Sequence, residues 1–538
     1  MTEKKKKNIK SLGEIERTRI IALIGFAILV LLLSWQSDDA YHGYVMSKHF
    51  AAGDGLVYNA GERSTASTCP LFTIIISLVF CLTREMFFTS LIVCTIFSTA
   101  AAYILFYKFC RSREQIIISF LAMVGSVAFM SYTSSGLENC LLFFLSALFL
   151  VVLSEHETYK SRDLLKLAVI LSGLAMARMD SVLIFIPVIV WIYLAKRDNV
   201  PFIQAVGIAI LGLLPFILWE VFATFYYGFP FPNPAYVKLG TGIPELEYVK
   251  KGIWYIIYTF IRDQVVLLVP VASVILSTLL KRPRYIFLSS GLALYVLYII
   301  RIGGDFMMGR HFTLIFFVGL CQFMILQNKE SSYLERIRKY RNIFNMVVLG
   351  SVVSTLTFGA MLGSQYMLGH KYSSFISDER EYYSYWTGFY NNVVSLATTG
   401  RLCVSDGWNN EAPDELRQQG KTGGIVENAA GIVVYNNSDL YLNDTYCLGD
   451  PFLSKLPAKY DPNWRVGHLR RAVPEGYRES VQNNDNEIVD PDLHEYYDKI
   501  RLITRGHLFD PESIQTIIKM NTGQYDHLLK NYEKSLNE

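Results

Sequence analysis

The sequence predicts a polytopic α-helical membrane protein with a soluble domain at its C-terminal end. Three observations lead to this fold class: the chain of 538 residues is 52% hydrophobic with a mean hydropathy of +0.28, its apolar residues come in long blocks, and these blocks stop near residue 370. Each membrane crossing needs about 20 predominantly apolar residues, which soluble enzymes do not carry in such series. The net charge of +3 is nearly balanced, so we expect no nucleic acid partner.

Eleven segments are apolar enough to be predicted membrane-spanning helices. They lie near 19–35, 86–108, 115–132, 137–153, 163–178, 181–196, 201–222, 253–280, 284–300, 311–327 and 342–363. The run PLFTIIISLVFCL is too short, because its helix would measure only about 20 Å against a hydrocarbon core of about 30 Å. We therefore expect an extracytoplasmic first loop at 36–69, followed by an interfacial segment at 70–83.

Charge in the connecting loops supports this topology. If the N-terminal MTEKKKKNIK is cytoplasmic and the short run does not cross, the basic loops KFCRSREQ, EHETYKSRDLLK, KRDN, LKRPRY and QNKESSYLERIRKYRN are cytoplasmic too. That arrangement satisfies the positive-inside rule. An odd number of crossings then places the soluble part outside. The predicted domains are 1–369 in the membrane and an extracytoplasmic α/β or α+β domain at 370–538.

Local patterns within the soluble domain predict both strands and helices. The alternating stretches LCVSDG and GIVVYNN favour strands, and PESIQTIIKMNTGQYDHLLKNY favours a terminal helical region. Cys403 and Cys447 lie in this domain, where an oxidising exterior would permit a disulfide; two separate thiols remain the alternative.

Ionisable residues concentrate at helix ends in the five outward loops. Acids and bases are both present: Asp38, Asp39, Glu138, Asp180 and Asp305, with His42, Lys48, Arg178, Lys238, Arg310 and His311. Any one of them could be an interfacial anchor. Because a charge at membrane depth costs on the order of 2–3 kcal/mol, a set of both signs on one side of the membrane predicts a shared polar cavity.

A cavity of this kind suits a substrate that is half lipid. A polyprenyl-phosphate sugar has its tail in the bilayer, its phosphate at the interface and its sugar in water. Transfer of the sugar needs a carboxylate to take the proton of the acceptor hydroxyl and cations to stabilise the departing phosphate. The adjacent acids Asp38 and Asp39 can supply the first, and the Arg and Lys residues the second.

The order of the loop motifs resembles a known family. DDAY, GDGLVYNAGER, STCPLF, SSGLEN, ARMD, YYGFPFPNPAYVK and GGDFMMGRHF follow one another as in the GT-C superfamily of polytopic glycosyltransferases. More narrowly, the chain resembles the terminal β-(1→2) arabinofuranosyltransferases, along nearly its whole length and including GDPFLSKLP and WRVGHLRRAVPEGY. The resemblance implies inverting transfer of arabinofuranose from a polyprenyl-phosphate donor to an extracytoplasmic glycan, by a multi-pass protein of the bacterial cytoplasmic (inner) membrane.

Roles can be assigned to individual residues, the catalytic base from the resemblance and the binding residues from their own chemistry and position. The catalytic base falls on Asp38 or Asp39, and we prefer Asp38, with Asp39 as its partner; the alternative is that the pair caps the helix beginning near Ala40. Donor phosphate binding falls on Arg178, Lys238, Arg310 and His311, and sugar or acceptor binding on His42, Glu138, Asp180, Asn233, Tyr236 and Asp305. The structural alternatives are an Arg178–Asp180 ion pair, an interfacial lysine at 238, a favourable first-turn acid at 138, and a helix-capping network around Arg310.

Cofactors and other function classes follow from the same residues. No cofactor is firmly predicted, and a divalent metal held by the Asp pair remains an alternative. Among enzymes, the second candidate is a GT-C transferase that glycosylates a surface protein such as pilin, so the acceptor is a glycan or a glycoprotein. A lipid-sugar transporter would need ionisable residues reachable from both faces, and a membrane-anchored sensor would leave the five loops without a role.

Overall fold

The computed structural model describes residues 3–328, 334–366, 376–406, 411–427, 430–458 and 460–537. These residues form two compact units that alternate along the chain. The first comprises Met1–Gln36, Ser90–Pro215 and Glu245–Ser384, and the second comprises Ser37–Thr89, Phe216–Pro244 and Tyr385–Glu538. The predicted domain boundary at 369/370 lies outside the described residues.

Within its described residues, the first unit consists of helices joined by loops and turns. Its helices are Glu3–Leu32, Met86–Ile104 with a π-helical continuation Leu105–Phe109, Arg113–Gly125, Val127–Tyr132, Asn139–Glu155, Ser161–Ala177, the 3-10 helix Met179–Ile184, Ile186–Ala195, Phe202–Tyr226, Glu245–Arg262, Gln264–Leu279, Pro283–Arg301, Phe312–Gln327, Leu334–Tyr366 and Glu379–Thr387. Met86–Ile104, Phe202–Tyr226 and Glu379–Thr387 each continue across a boundary between the two units.

Within the described residues, three helices are long and apolar enough to cross a membrane. They are Met86–Phe109, Phe202–Tyr226 and Pro283–Arg301, which coincide with three of the predicted spans. A fourth crossing would be the pair Glu245–Arg262 and Gln264–Leu279, which is bent by 106°. Other predicted spans contain shorter apolar helices, such as Asn139–Glu155 and Phe312–Gln327, so the count of eleven crossings stays a prediction.

One buried carboxylate explains why two predicted spans are broken. Asp263 Oδ1 accepts a hydrogen bond from the backbone N–H of Val266 and so caps the Gln264–Leu279 helix. Its Oδ2 accepts from the Ser126 hydroxyl at 2.7 Å and from the Ala128 N–H at 2.9 Å, where the Val127–Tyr132 helix begins. Because free N–H groups at helix ends need acceptors, Asp263 stabilises both breaks at once.

The second unit contains most of the described residues of the region that the sequence predicts to be a soluble domain. Its helices are Asp38–Ala52, Pro70–Thr83, Asn233–Val237, Phe389–Thr399, Cys403–Asp406, Glu411–Gln418, Ala430–Asn436, the 3-10 helix Leu453–Lys455, Tyr477–Asn483, Pro491–Arg505, Pro511–Asn521 and Asp526–Asn537. The strands of the described chain are Gly423–Val426 and Tyr441–Asp444, which pair in parallel with Gly423 opposite Tyr441.

Both strand predictions in the soluble domain are wrong, whereas the predicted terminal helical region is confirmed. LCVSDG contains the short helix Cys403–Asp406, and GIVVYNN lies in the helix Ala430–Asn436. The second error has a tertiary cause, because the N-terminal N–H groups of that helix are capped by Asp38, which is almost 400 positions earlier in the chain. The terminal region forms Pro511–Asn521 and Asp526–Asn537.

Candidate active site

A buried network of charged side chains lies in the first unit. Glu138 Oε1 accepts hydrogen bonds from two guanidinium groups, at 2.9 Å from Arg178 Nη1 and 3.1 Å from Arg310 Nη2. Arg178 Nε also donates to Asp180 Oδ1 at 2.9 Å. One buried carboxylate therefore holds two cations side by side, and the structural alternative of an Arg178–Asp180 ion pair is present within the same network.

His311 joins the network to Asp305. Its Nε2 lies 3.5 Å from Asp305 Oδ2, and its Nδ1 lies 3.3 Å from the Tyr295 hydroxyl and 3.5 Å from Arg178 Nη2. Since both groups near Nδ1 are donors, the contacts fit a neutral imidazole that carries its proton on Nε2. In that form the network contains two positive and three negative groups.

The GGDFMMGRHF loop reaches this position through a close backbone approach. Gly304 has φ of +76°, and a Cβ at this position would lie 2.5 Å from the Cβ of Tyr255. A larger residue would be both strained and displaced there. The Tyr255 hydroxyl donates to the Met307 carbonyl at 2.9 Å, which fixes the loop just before Arg310.

Six predicted site residues are thus brought together from three loops. Glu138 comes from SSGLEN, Arg178 and Asp180 from ARMD, and the other three from GGDFMMGRHF: Asp305, Arg310 and His311. Glu138, Asp305, Arg310 and His311 are each less than 9% exposed, whereas the Arg178 side chain is 18% exposed. The sequence predicted the gathering of these residues, and their individual roles stay predictions.

The remaining predicted residues lie in the second unit, where Asp38 has an unforeseen partner. It is the first residue of the Asp38–Ala52 helix, and its carboxylate accepts from the N–H of Gly431 at 3.2 Å and of Ile432 at 2.8 Å. A Cβ on Gly431 would collide with the main-chain carbonyl of Asp38. Asp38 therefore caps a helix, but a different one from its own.

Asp38, Asp39 and His42 have different environments. Asp38 is 6% exposed, and burial raises the pKa of its carboxyl above the usual range, against the opposing effects of His42 and the two N–H donors. His42 is buried as well; burial lowers its pKa, and its Nδ1 lies 3.1 Å from the Tyr58 hydroxyl. Asp39 is half-buried, so of the three it is the most accessible.

Lys455, which the sequence did not single out, lies against the predicted residues Asn233 and Tyr236. Its Nζ donates to Asn233 Oδ1 at 3.2 Å and lies 3.9 Å from the ring centroid of Phe229 and 4.4 Å from that of Tyr236. Burial lowers the pKa of Lys455 to about 7. The predicted Lys238 is instead exposed, at the end of the Asn233–Val237 helix. The signal for Lys455 was its place in GDPFLSKLP, one of the motifs that carry the resemblance.

Two further buried acids lie near the end of the second strand. Burial raises the pKa of Asp444 to about 7 and that of Asp450 to about 6. Asp450 accepts from the Tyr477 hydroxyl at 2.7 Å and from Asn443 Nδ2 at 2.9 Å. Both acids are fully buried, so we interpret them as structural groups of this unit.

Metal binding and disulfide formation can also be checked within the described residues. They contain no group of three or more His, Cys, Asp or Glu side chains that could hold a metal ion. Cys403 and Cys447 are both free thiols, which agrees with the alternative of two separate cysteines.

Comparison with known proteins adds one structural likeness. No protein-family model matches the sequence, and no curated protein matches it. Among solved structures, the chain is similar to ArnT from Cupriavidus metallidurans bound to undecaprenyl phosphate, with 12% sequence identity and a TM-score of 0.43. The match covers 80% of this chain and 75% of that chain. No residue role is transferred from that protein.

Proposed function

We propose that the protein is an inverting GT-C glycosyltransferase of the bacterial cytoplasmic membrane. It moves a sugar, arabinofuranose by its sequence resemblance, from a polyprenyl-phosphate donor to an extracytoplasmic glycan. The acceptor oxygen attacks the anomeric carbon, the bond to the donor phosphate breaks with its electrons going to the phosphate, and a carboxylate takes the acceptor proton. The C-terminal domain is extracytoplasmic in this proposal. No cofactor is firmly assigned, and a divalent metal held by the Asp38–Asp39 pair stays the alternative.

The observation that carries the proposal is the buried network around Glu138. Apolar side chains would pack this region without the desolvation cost of five charged groups, and replacement of buried ion pairs by apolar residues is often neutral or stabilising. Ionisable residues that persist at membrane depth indicate a functional site. Within this network, the two guanidiniums held at one carboxylate oxygen are the groups that can bind an anionic ligand, once they give up part of their contact with Glu138.

Arg178 and Arg310 are the proposed ligands of the donor phosphate. A guanidinium presents two N–H groups to two phosphate oxygens in one rigid plane, whereas an ammonium group acts as a compact point charge. A phosphate that binds both arginines replaces part of their contact with Glu138. A proton on His311 would offset the negative charge of Asp305, the third carboxylate of the network. Glu138 is therefore a positioning residue that keeps the two cations together before the donor arrives.

For the proton acceptor we choose Asp39, with Asp38 as the residue that positions it. Both oxygens of Asp38 already accept backbone N–H groups, and its side chain is almost fully buried. Asp39 is half-buried, and a general base must come within hydrogen-bond reach of the hydroxyl it deprotonates. This choice reverses the preference for Asp38 that the sequence alone suggested.

The decisive experiment measures donor use by arginine variants of the purified protein in lipid, with a synthetic polyprenyl-phosphoryl arabinofuranose. Arg310→Lys keeps the charge but loses the planar pair of donors, so we expect the KM for donor to rise about tenfold or more, since a tenfold change corresponds to about 1.4 kcal/mol. Arg284→Lys is the matched control. Arg284 is also buried and bonded to a carboxylate, Glu157, but it lies at the start of a different helix and has no proposed role.

If the two variants had equal KM values for the donor, the proposal that Arg310 binds the donor phosphate would be refuted. Absence of any transfer by the unmodified protein, with this donor and with other polyprenyl-phosphate sugars, would refute the glycosyltransferase proposal itself. Mass spectrometry of surface glycans, surface proteins and lipid-linked sugars in a deletion strain distinguishes a glycan acceptor from a protein acceptor. A glycan that loses a sugar favours the main proposal, and a protein such as pilin that loses one favours the second candidate.

A further inference from the structure

An exposed phenylalanine lies next to the end of a membrane-spanning helix in the second unit. Phe509 occupies the short loop between the Pro491–Arg505 and Pro511–Asn521 helices, and 78% of its surface is exposed. Its ring centroid lies 6.3 Å from that of Phe225. Phe225 is the penultimate residue of the Phe202–Tyr226 helix and is itself 38% exposed.

Hydrogen bonds hold this loop beside the helix end. The Arg63 guanidinium donates to the carbonyls of Tyr226, Ile503 and Gly506, at 3.0, 2.6 and 2.8 Å. On the other side of the loop, Asn521 Nδ2 donates to the Gly228 carbonyl at 2.8 Å. The position of the loop is therefore fixed by contacts before and after it.

The neighbouring surface of the Phe202–Tyr226 helix has the composition of a lipid-facing surface. The helix has a mean hydropathy of 2.2 over its most apolar stretch, of which only 11% is buried within the protein. Leu218, Val221 and Phe222 are 57%, 59% and 42% exposed close to its C-terminal end. Aromatic residues are enriched where such helices leave the membrane.

We propose that the Gly506–Asp510 loop inserts Phe509 into the outer leaflet of the bilayer and so anchors the C-terminal helices at the membrane surface. The apolar patch formed by Phe225 and Phe509 continues the lipid-facing surface of the Phe202–Tyr226 helix, which identifies lipid as its occupant. The insertion is shallow, because Glu512 follows directly in the first turn of the next helix and stays in water. An apolar ring buried just below the headgroups is the geometry of an interfacial anchor.

The test uses tryptophan as a depth probe in the full-length protein, reconstituted in phosphatidylcholine vesicles. Phe509→Trp is compared with Val489→Trp, and the seven native tryptophans give the same background in both variants. Val489 is 64% exposed and precedes the Pro491–Arg505 helix, so about 22 Å of helix separates it from the loop. Acidic residues surround Val489 in the sequence, including Glu487 and Asp490, so it is expected to face water.

Lipid brominated near the headgroup end of the acyl chains should quench the fluorescence added by Phe509→Trp. Aqueous iodide should leave that fluorescence largely unquenched. The emission added by Val489→Trp should show the opposite behaviour. Quenching of Phe509→Trp by iodide and not by brominated lipid would overturn the proposal. The readout needs no substrate, so it is independent of the proposed glycosyl transfer. The insertion itself rests on the Phe202–Tyr226 helix crossing the membrane, and the choice of leaflet rests on the proposed extracytoplasmic position of the C-terminal domain.

Discussion

Replacement of Glu138 by glutamine tests how strongly the buried network depends on its central carboxylate. The change keeps the size of the side chain and removes the negative charge that lies between Arg178 and Arg310. An amide oxygen in the place of Oε1 can still accept from both arginines, but it carries no negative charge. An amide nitrogen in the place of Oε2 is a donor and cannot accept the 3.3 Å hydrogen bond from Arg310 Nη2. The two guanidinium groups then lose the carboxylate charge that they share, while Arg178 keeps its ion pair with Asp180.

The expected magnitude follows from burial and from the two distances. Both hydrogen bonds are short, at 2.9 and 3.1 Å, and the Glu138 side chain is only 2% exposed. Removal of one partner from a buried ion pair costs about 3–5 kcal/mol, because the remaining charge is left uncompensated. We therefore expect the free energy of unfolding to fall by about that amount, and the KM for a polyprenyl-phosphate donor to rise.

Glu157→Gln is the matched control, because Glu157 also pairs with an arginine, Arg284, at 2.8 Å. The Glu157 side chain is 82% exposed, and exposed ion pairs contribute only about 0–1 kcal/mol. The assay is reversible unfolding of each purified variant in mixed micelles with increasing denaturing detergent. If Glu138→Gln were no more destabilising than Glu157→Gln, the reasoning about charge compensation in this network would be wrong.

Three other predictions concern single side chains. Asp39→Asn should reduce turnover about 100-fold or more with little change in the donor KM, since general-base catalysis usually contributes that much. Asp38→Asn should reduce turnover less. If Asp38→Asn had the larger effect and both variants were stably folded, Asp38 would be the general base. Burial raises the pKa of Asp444 to about 7, so the folded state binds more protons than the unfolded state between about pH 4 and 7 and loses stability as pH rises. In that window Asp444→Asn should remove a slope of about 1.4 kcal/mol per pH unit from the dependence of the unfolding free energy on pH. Unfolding measured at several pH values tests this, and an unchanged slope would contradict the raised pKa of Asp444. Asp263→Ala leaves two N–H groups and a hydroxyl without their acceptor, so the unfolding free energy should fall by on the order of 3 kcal/mol. A fall of less than about 1 kcal/mol would show that water replaces the carboxylate.

The sequence predicted the gathering of charges in the first unit because the signal was local and repeated. Each loop carried its own ionisable residues next to an apolar block, and the cost of charge at membrane depth favoured their meeting. Glu138, Arg178 and Arg310 could therefore be chosen without any knowledge of their contacts. The local Arg178–Asp180 contact was foreseen as an alternative. The contacts between loops were not predictable, because loop spacing does not determine which donor faces which acceptor.

Helix breaks and long-range contacts were harder to predict. Hydrophobicity over 253–280 favours one span, and a single Asp263 within it is a weak sequence signal. In the structure this residue caps two helix ends, and the pair Glu245–Arg262 and Gln264–Leu279 bends by 106°. Lys455 was missed for a similar reason, since its partners Phe229, Asn233 and Tyr236 lie more than 200 positions earlier in the chain.

The helix Ala430–Asn436 links the errors in local structure to the proposed chemistry. Its β-branched residues favour a strand, and a seven-residue helix is too short to be stable alone. Asp38 supplies the missing acceptor for its first N–H groups, and the absence of a side chain at Gly431 permits the approach. The same contacts hold the Asp38 carboxylate in place and leave its neighbour Asp39 more exposed. A carboxylate that stabilises a helix end is thus the structural reason to expect the proton to be taken by Asp39, one residue further along the chain.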